Sequence, residues 1–203
     1  MRKLAVLVSG GGTNLQALLE ASRLPTYPAR VVLVGCNRAG APAIGRAEGA
    51  GVRVCIADRG EFPRRAERQR RLLDAARRAD ANLVVLAGFD EVLTPEFVAA
   101  FAGRMINTHP SLLPAFGRTL HAVDEALAHG VKVTGCTVHL VTDDLDGGPI
   151  LLQQCVEVRD DDTAESLHAR IREQEHRLLC EAVRALAEGR VVVEGRVARV
   201  IAS

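Results

Sequence analysis

Two polar residues, Asn107 and His109, are the strongest candidates for chemistry in this sequence. They follow an apolar pair that predicts a strand, and side chains two residues apart in a strand leave the same face. A carboxamide beside an imidazole suits acyl transfer to an amine, because the amide can donate to an oxyanion while the ring moves a proton. Asp146, in the acidic and glycine-containing segment 143–149, supplies a carboxylate that would favour the charged form of the ring.

A second candidate is the glycine-rich segment 9–14, which joins the first predicted strand to a helix. Backbone N–H groups at such a junction, aided by the helix dipole and by the side chains of Thr13 and Asn14, suit a phosphate. The segment is not a P-loop, because no Gly-Lys-Ser/Thr follows, and Leu15 replaces the third glycine of the dinucleotide fingerprint. We therefore predict a site for one phosphate, although a tight turn that needs positive φ would give the same pattern.

The elements that must position these residues form an alternating series. Short continuous apolar runs separated by helical patterns predict a parallel sheet covered on both faces, an α/β doubly wound, mostly parallel Rossmann-like fold. The predicted strands are 4–8, 31–36, 52–57, 83–86 and 105–108, and the predicted helices are 14–22, 43–50, 64–78 and 95–101.

The regular alternation of strands and helices ends after residue 120. A helix at 121–129 precedes strands at 132–141 and 150–158, and the short gap between these strands predicts an antiparallel pair. A long helix at 163–188, with Thr163 as its N-cap, leads to a hairpin within 191–201.

Open α/β sheets bind ligands at the carboxyl ends of their strands. The loops after the first, fourth and fifth strands, together with the loop 142–148, are expected at that edge, so we predict that they converge and bring Asp146 to His109. Other interpretations remain open at this point. The prolines could make 107–114 a rigid loop, and the aspartates could form a weak divalent-cation site. His139 is expected to be a scaffold residue.

Bulk composition narrows the function. A chain of 203 residues predicts a single domain, residues 1–203. A net charge of +1 and an aromatic content of 3% argue against nucleic acid and against a membrane as partners. The arginine-rich stretch 64–78 contains interleaved acids and an apolar stripe, which predicts an exposed amphipathic helix. Five scattered cysteines predict reduced, buried thiols in a cytoplasmic protein.

Five segments together resemble the phosphoribosylglycinamide formyltransferase family, the folate-dependent transformylases of purine synthesis: 9–16, 85–89, 107–114, 143–149 and 174–176. The resemblance covers roughly residues 3–190. It implies transfer of the formyl group of 10-formyltetrahydrofolate to the amine of N1-(5-phosphoribosyl)glycinamide in de novo purine (IMP) biosynthesis, by direct attack through a tetrahedral intermediate. It also implies small-molecule substrates, no metal, and a monomer or homodimer.

The resemblance assigns roles residue by residue. The catalytic residues are Asn107, His109 and Asp146. The ribonucleotide is bound by Gly12, Thr13, Asn14, Arg172, Glu173, Gln174 and Glu175. The folate is bound by Arg65, Asp90, Glu91, Val92, Leu93, Asn107, Thr142, Asp143, Asp144, Leu145 and Asp146.

The chain departs from the family at three places. Asp90-Glu91 stands where many relatives have Met-Arg, Gly117-Arg118-Thr119 where Pro-Gly is usual, and Val123 where some have a second histidine. The alternatives are a formyltetrahydrofolate deformylase, for which an additional N-terminal domain is expected, and a methionyl-tRNA formyltransferase-like domain, for which an appended RNA-binding domain is expected. A non-catalytic nucleotide-binding module would explain only the glycine segment.

Overall fold

The computed structural model describes residues 1–202. The chain divides into two compact units, Met1–Ile106 and Asn107–Ser203, which we call the first and the second unit. The single domain 1–203 stays a prediction, and its last residue, Ser203, lies outside the described residues.

The first unit contains every element predicted for it, with ends that shift by one or two residues. Its strands are β1 (Arg2–Val8), β2 (Ala29–Cys36), β3 (Arg53–Ile56) and β4 (Leu83–Leu86). Its helices are α1 (Thr13–Ala21), α2 (Pro42–Gly49), α3 (Arg65–Arg78) and α4 (Pro95–Ala100).

The strand order within the first unit is β3-β2-β1-β4, and these neighbours are parallel. The chain moves outward from β1 to β3 and then crosses to the other side of β1. Right-handed crossovers therefore put α1 and α2 on one face and α3 on the other. Residues 4 to 8 of β1 have no exposed surface, as expected for a strand covered on both faces. The reversal between β1 and β4 is the switch point at which open sheets bind ligands.

The second unit contains the C-terminal elements, and the division between the units falls inside its first strand. The strands are β5 (Met105–His109), β6 (Val133–Leu140), β7 (Ile150–Glu157), β8 (Val191–Glu194) and β9 (Val197–Val200). The helices are α5 (Ala122–Ala128) and α6 (Ala164–Ala187).

The strand order in the second unit is β5-β6-β7-β9-β8. The predicted antiparallel pairing of β6 with β7 and the terminal hairpin of β8 with β9 are confirmed. Helix α6 packs on β6 and β7, and Thr163 caps its first turn through a reciprocal hydrogen-bonded box with Ser166. The predicted fold class, α/β with a mostly parallel sheet and antiparallel strands near the C-terminal end, is confirmed.

The cysteine prediction needs one correction. All five cysteines are free thiols, but only Cys36 and Cys136 are buried, Cys55 and Cys180 are half-buried, and Cys155 is exposed. The reason is the alternation of β7, in which residues 153, 155 and 157 face outward. No helix within residues 1–202 combines the length and the apolar character that a membrane span needs.

Candidate active site

Strand β5 places Asn107 and His109 on one face and Thr108 on the other. His109 and Thr108 are buried, and Asn107 is half-buried. The Thr108 hydroxyl donates to Oε1 of Glu175 on α6 at 3.1 Å. This hydrogen bond fixes β5 to α6 on the face opposite to Asn107 and His109. Helix α6 therefore supports one face of the strand, and the other face carries the carboxamide and the imidazole.

Asp146 lies between two imidazoles. Its Oδ2 is 3.7 Å from Nδ1 of His109, and its Oδ1 is 3.7 Å from Nε2 of His139. All three side chains are nearly buried, with exposures of 7% for His109, 3% for His139 and 9% for Asp146. The structure therefore brings together the predicted Asn107, His109 and Asp146 and adds His139 to them.

The orientation of the His109 ring is fixed by the backbone. Its Nε2 lies 2.7 Å from the carbonyl oxygen of Phe116. Because a carbonyl oxygen only accepts, Nε2 carries a proton and donates it. Nδ1 then faces Asp146 across a distance that is longer than a hydrogen bond. Nδ1 is consequently the ring nitrogen that is available for proton exchange.

His139 fixes the carboxamide of Asn107. Nδ1 of His139 is 2.9 Å from the Leu140 carbonyl and must donate to it, so in the neutral ring Nε2 is an acceptor. Nδ2 of Asn107 lies 3.2 Å from that Nε2 and donates to it. Burial lowers the pKa of His139, outweighing the opposite effects of the Leu140 carbonyl and Asp146, and this keeps the ring neutral. His139 was predicted to be a scaffold residue, and the side chain that it positions is the Asn107 carboxamide.

The loop that carries Asp146 is tightly constrained. Asp146 has a φ of 53°, in the left-handed region that few residues other than glycine adopt. A Cβ on Gly148 would collide with the backbone carbonyl of Leu140, and one on Gly147 with the Asp144 carboxylate. The collision at Gly148 involves fixed backbone, so a glycine is needed there for the chain to turn closely behind the carboxylate, whereas the Asp144 side chain beside Gly147 can move.

Arg118 holds the same loop from the other side, although in the sequence it stands out only as a departure from the family. Its backbone N–H donates to Oδ2 of Asp146 at 2.7 Å, and its Nη2 donates to Oδ1 of Asp144 at 2.7 Å. Arg118 has a φ of 65°. An arginine at this left-handed position gives no sequence signal of its conformation, so the contact could not be predicted.

The other predicted residues of the second unit lie in two places. Residues 142–145 are exposed, and residues 144–147 line a cavity of about 230 Å³ together with Pro114, Gly117, Arg118 and Arg196. On α6, Arg172 and Gln174 are half-buried, Glu173 is exposed, and Glu175 is buried against Thr108. Within residues 1–202 no cluster of acids, cysteines or histidines is arranged as a metal site, and Asp144 pairs with Arg118 instead.

The predicted phosphate segment lies at the switch point of the first unit. Gly12 is the N-cap of α1, with a φ of 72° and no side-chain hydrogen bond to cap the helix. The first-turn N–H groups of a helix have no intrahelical partner, so this end is suited to an anion. Ser9 joins the segment to the loop after β4, because its N–H donates to Gly88 and its Oγ accepts from the N–H of Asp90.

The predicted folate residues of the first unit differ in whether their side chains are exposed or already bound to other residues. Arg65 is exposed at the start of α3, whereas Asp90 and Glu91 are engaged within the unit. Asp90 accepts from Asn37 and pairs with Arg38 and Arg59. Burial raises the pKa of Asp90, but the hydrogen bonds from Asn37 and Ser9 and the nearby guanidinium groups outweigh it, so the net pKa is lowered.

Glu91 is bound in the same way. It accepts from Nε of the buried Arg68 at 2.9 Å, from Gln69 and from Asn37, and these contacts lower its pKa against the effect of burial. Both acids are therefore ionised and internally paired. The segment 90–93 therefore leaves its backbone and the exposed side chain of Val92 accessible, whereas Leu93 is buried in the core.

Comparison with known proteins identifies the family of this chain. A model of the formyl transferase family matches residues 2–183, and the chain belongs to that family. Phosphoribosylglycinamide formyltransferase of Mycobacterium tuberculosis is 49% identical over 196 residues, 97% of this chain and 90% of the relative. The crystal structure of glycinamide ribonucleotide transformylase 1 from Symbiobacterium toebii superimposes with a TM-score of 0.96 at 45% identity, and the match covers 100% of this chain and 95% of that chain.

A hydrolase of the same fold is a more distant relative. Formyltetrahydrofolate deformylase from Pseudomonas syringae has a TM-score of 0.92 at 25% identity, covering 99% of this chain and 66% of that chain. The fold is therefore common to transferases and a deformylase. The sequence identities favour the transferases.

Proposed function

We propose that this enzyme transfers the formyl group of 10-formyltetrahydrofolate to the amine of glycinamide ribonucleotide in de novo purine synthesis. The observation that carries the proposal is the arrangement of Asn107 and His109 on one face of β5 with Asp146 opposite the ring at 3.7 Å. The identity of 49% to the Mycobacterium tuberculosis transferase supports the same substrates.

In this proposal, Asn107 stabilises the oxyanion. The amine of the ribonucleotide attacks the formyl carbon, a C–N bond forms, and the formyl oxygen becomes negatively charged in the tetrahedral intermediate. One N–H of the Asn107 amide donates to His139, so the second N–H remains as a donor for that oxygen. Because His139 orients the amide in advance, the donor needs little reorganisation during the reaction.

His109 and Asp146 stabilise the charge on the formyl oxygen and transfer the proton that the amine loses. The Phe116 carbonyl accepts from Nε2 of the ring, whereas the Asp146 carboxylate is 3.7 Å from Nδ1, beyond hydrogen-bond distance, so the Nδ1–H of an imidazolium remains available for the oxyanion. The imidazolium donates to the oxyanion. When the intermediate collapses, the C–N bond to N10 of the folate breaks, and the proton lost by the amine passes to N10 through His109 or a water molecule.

The residues that bind the substrates are assigned as the family resemblance implies. The ribonucleotide phosphate is held at the N-terminus of α1 by Gly12, Thr13 and Asn14, and Arg172 to Glu175 act at the glycinamide end. Because Glu175 is bound by Thr108 on the opposite face of β5, we assign it a role through that strand as well as toward the substrate. The family resemblance assigns the folate to Arg65, the segment 90–93, Asn107 and residues 142–146.

We further propose that residues 1–203 act as one formyltransferase domain, located in the cytoplasm and active as a monomer or homodimer. The identity of 49% to the Mycobacterium tuberculosis transferase, against 25% to the deformylase, supports the transferase over the deformylase alternative. The two activities differ in the acceptor, which is an amine in one and water in the other.

The test is the dependence of folate turnover on the ribonucleotide. The purified enzyme is mixed with 10-formyltetrahydrofolate, and loss of the formyl donor is followed by absorbance with and without glycinamide ribonucleotide. The proposal predicts turnover only when the ribonucleotide is present, with one formylated ribonucleotide per tetrahydrofolate. Turnover at the same rate without it, with release of formate, would establish the deformylase instead.

A further inference from the structure

Arg46 is the charged side chain that reaches the glycine segment from a neighbouring helix of the first unit. It lies on α2, is exposed, and belongs to none of the residue sets assigned above. Its Nε donates to the carbonyl oxygen of Gly11 at 2.9 Å, and its Nη1 donates to Oε1 of Gln16 on α1 at 3.3 Å. One guanidinium thus joins the segment to two helices.

The contact with Gly11 controls the direction of a donor. In a trans peptide the carbonyl and the following N–H point in opposite directions. When Arg46 fixes the Gly11 carbonyl on the side of α2, it turns the N–H of Gly12 away from α2. A cationic donor on the carbonyl also polarises the peptide, which strengthens that N–H as a hydrogen-bond donor.

The backbone of α2 supports the same segment. A Cβ on Gly12 would approach the Ala43 Cβ to 2.6 Å, and the Ala43 N–H donates to the carbonyl of Gly10 at 3.2 Å. The segment is therefore pressed against α2 at Gly10, Gly11 and Gly12. Of these contacts, the one from Arg46 is the only one made by a flexible, charged side chain, and so it can be removed without disturbing the packing.

We propose that Arg46 is a positioning residue for the phosphate of the ribonucleotide, acting through the Gly11–Gly12 peptide without touching the substrate. The inference rests on the proposed function, because it assumes that the segment binds that phosphate. It predicts an effect on the ribonucleotide and none on the folate, which is a separation that a general loss of structure would not produce.

The experiment compares Arg46→Met with the wild-type enzyme. Methionine keeps an unbranched apolar stem and removes every donor. Binding of glycinamide ribonucleotide is measured by calorimetry, and KM is measured for each substrate. We expect the ribonucleotide Kd and KM to rise roughly 5- to 20-fold, as for loss of the charge-assisted hydrogen bond between the misdirected Gly12 N–H and the phosphate, with less than a twofold change in kcat and in the folate KM.

Two further variants sharpen the comparison. Arg46→Lys keeps a cation that can replace the Gly11 contact, so it should recover most of the lost affinity. Arg77→Met is the matched control, because Arg77 is another exposed helical arginine of the first unit and pairs with Asp74. Its constants should equal those of the wild type.

The outcomes separate the two proposals. If the wild type binds no ribonucleotide, the proposed function fails and Arg46 loses its role with it. If the wild type binds and Arg46→Met binds equally well, only the positioning role is overturned. The same holds if Arg46→Met raises the KM of both substrates alike, or if Arg46→Lys is as weak as Arg46→Met.

Discussion

Replacing Asp146 with asparagine removes the charge that faces both imidazoles while it keeps the shape of the side chain. At 3.7 Å, two unit charges in an environment with an effective dielectric of about 20 interact by about 4.5 kcal/mol. This is an upper bound for what the carboxylate contributes to a cationic His109, and it corresponds to about three decades in rate. We therefore expect kcat of Asp146→Asn to fall by about 10²- to 10³-fold.

The fold should survive this substitution, because the amide oxygen can still accept from the N–H of Arg118 as Oδ2 does now. The assay is formyl transfer at pH 7.5, with thermal unfolding measured in parallel. Asp160→Asn is the matched control, since Asp160 is 94% exposed and pairs with Lys132 on the surface. A well-folded Asp146→Asn enzyme with kcat within threefold of the wild type would refute the role of the carboxylate.

Three further predictions follow from the same structure. His139→Gln should lower kcat about 10-fold by releasing the Asn107 amide. Because burial lowers the pKa of His139 in the folded state, the unfolded chain takes up its proton first as the pH falls below about 6.5, and the free energy of unfolding decreases. Urea unfolding at pH 7.5 and pH 5 should therefore give a smaller difference for His139→Gln than for the wild type, and an equal difference would contradict this. Gly148→Ala should destabilise the protein by about 1–3 kcal/mol and lower kcat, because the new Cβ meets the Leu140 carbonyl. The control is Gly45→Ala inside α2, where the new Cβ meets open space, and it should raise Tm. An unchanged Tm for Gly148→Ala would show that the loop can move away from the Leu140 carbonyl. Arg65→Ala should raise the folate KM and leave the ribonucleotide KM unchanged, and steady-state titration of each substrate would detect the opposite pattern.

Much of the fold could be predicted because the strands of the first unit are continuous apolar runs, which only a doubly covered sheet explains. The order of these strands, which puts the switch point between β1 and β4, was not predicted and comes from the structure. Element ends shifted by one or two residues because helix and strand ends depend on individual hydrogen bonds. The cap at Thr163 was predicted correctly, since its box with Ser166 is entirely local.

The site could be predicted only where it depends on local spacing. Asn107 and His109 share a face because of strand geometry alone. The contact of Asn107 with His139 joins the neighbouring strands β5 and β6, which are 32 positions apart at these residues, and β6 has an irregular register at His139 that the sequence does not show. The backbone N–H of Arg118 binds Asp146 because Arg118 has a left-handed conformation, and an arginine in the sequence does not indicate that conformation. The bond from Arg46 to Gly11 joins residues 35 positions apart and has no signature in the sequence.

The most direct test of the account is a single-turnover experiment with 10-formyltetrahydrofolate labelled in the formyl carbon. Enzyme in excess is mixed with the labelled folate and glycinamide ribonucleotide, quenched at intervals, and the label is counted on protein, on ribonucleotide and as formate. Direct attack on a carbon held by Asn107 and His109 predicts that all label passes to the ribonucleotide and none is ever bound to protein. Label on the protein, or label released as formate while the ribonucleotide stays unformylated, would contradict it.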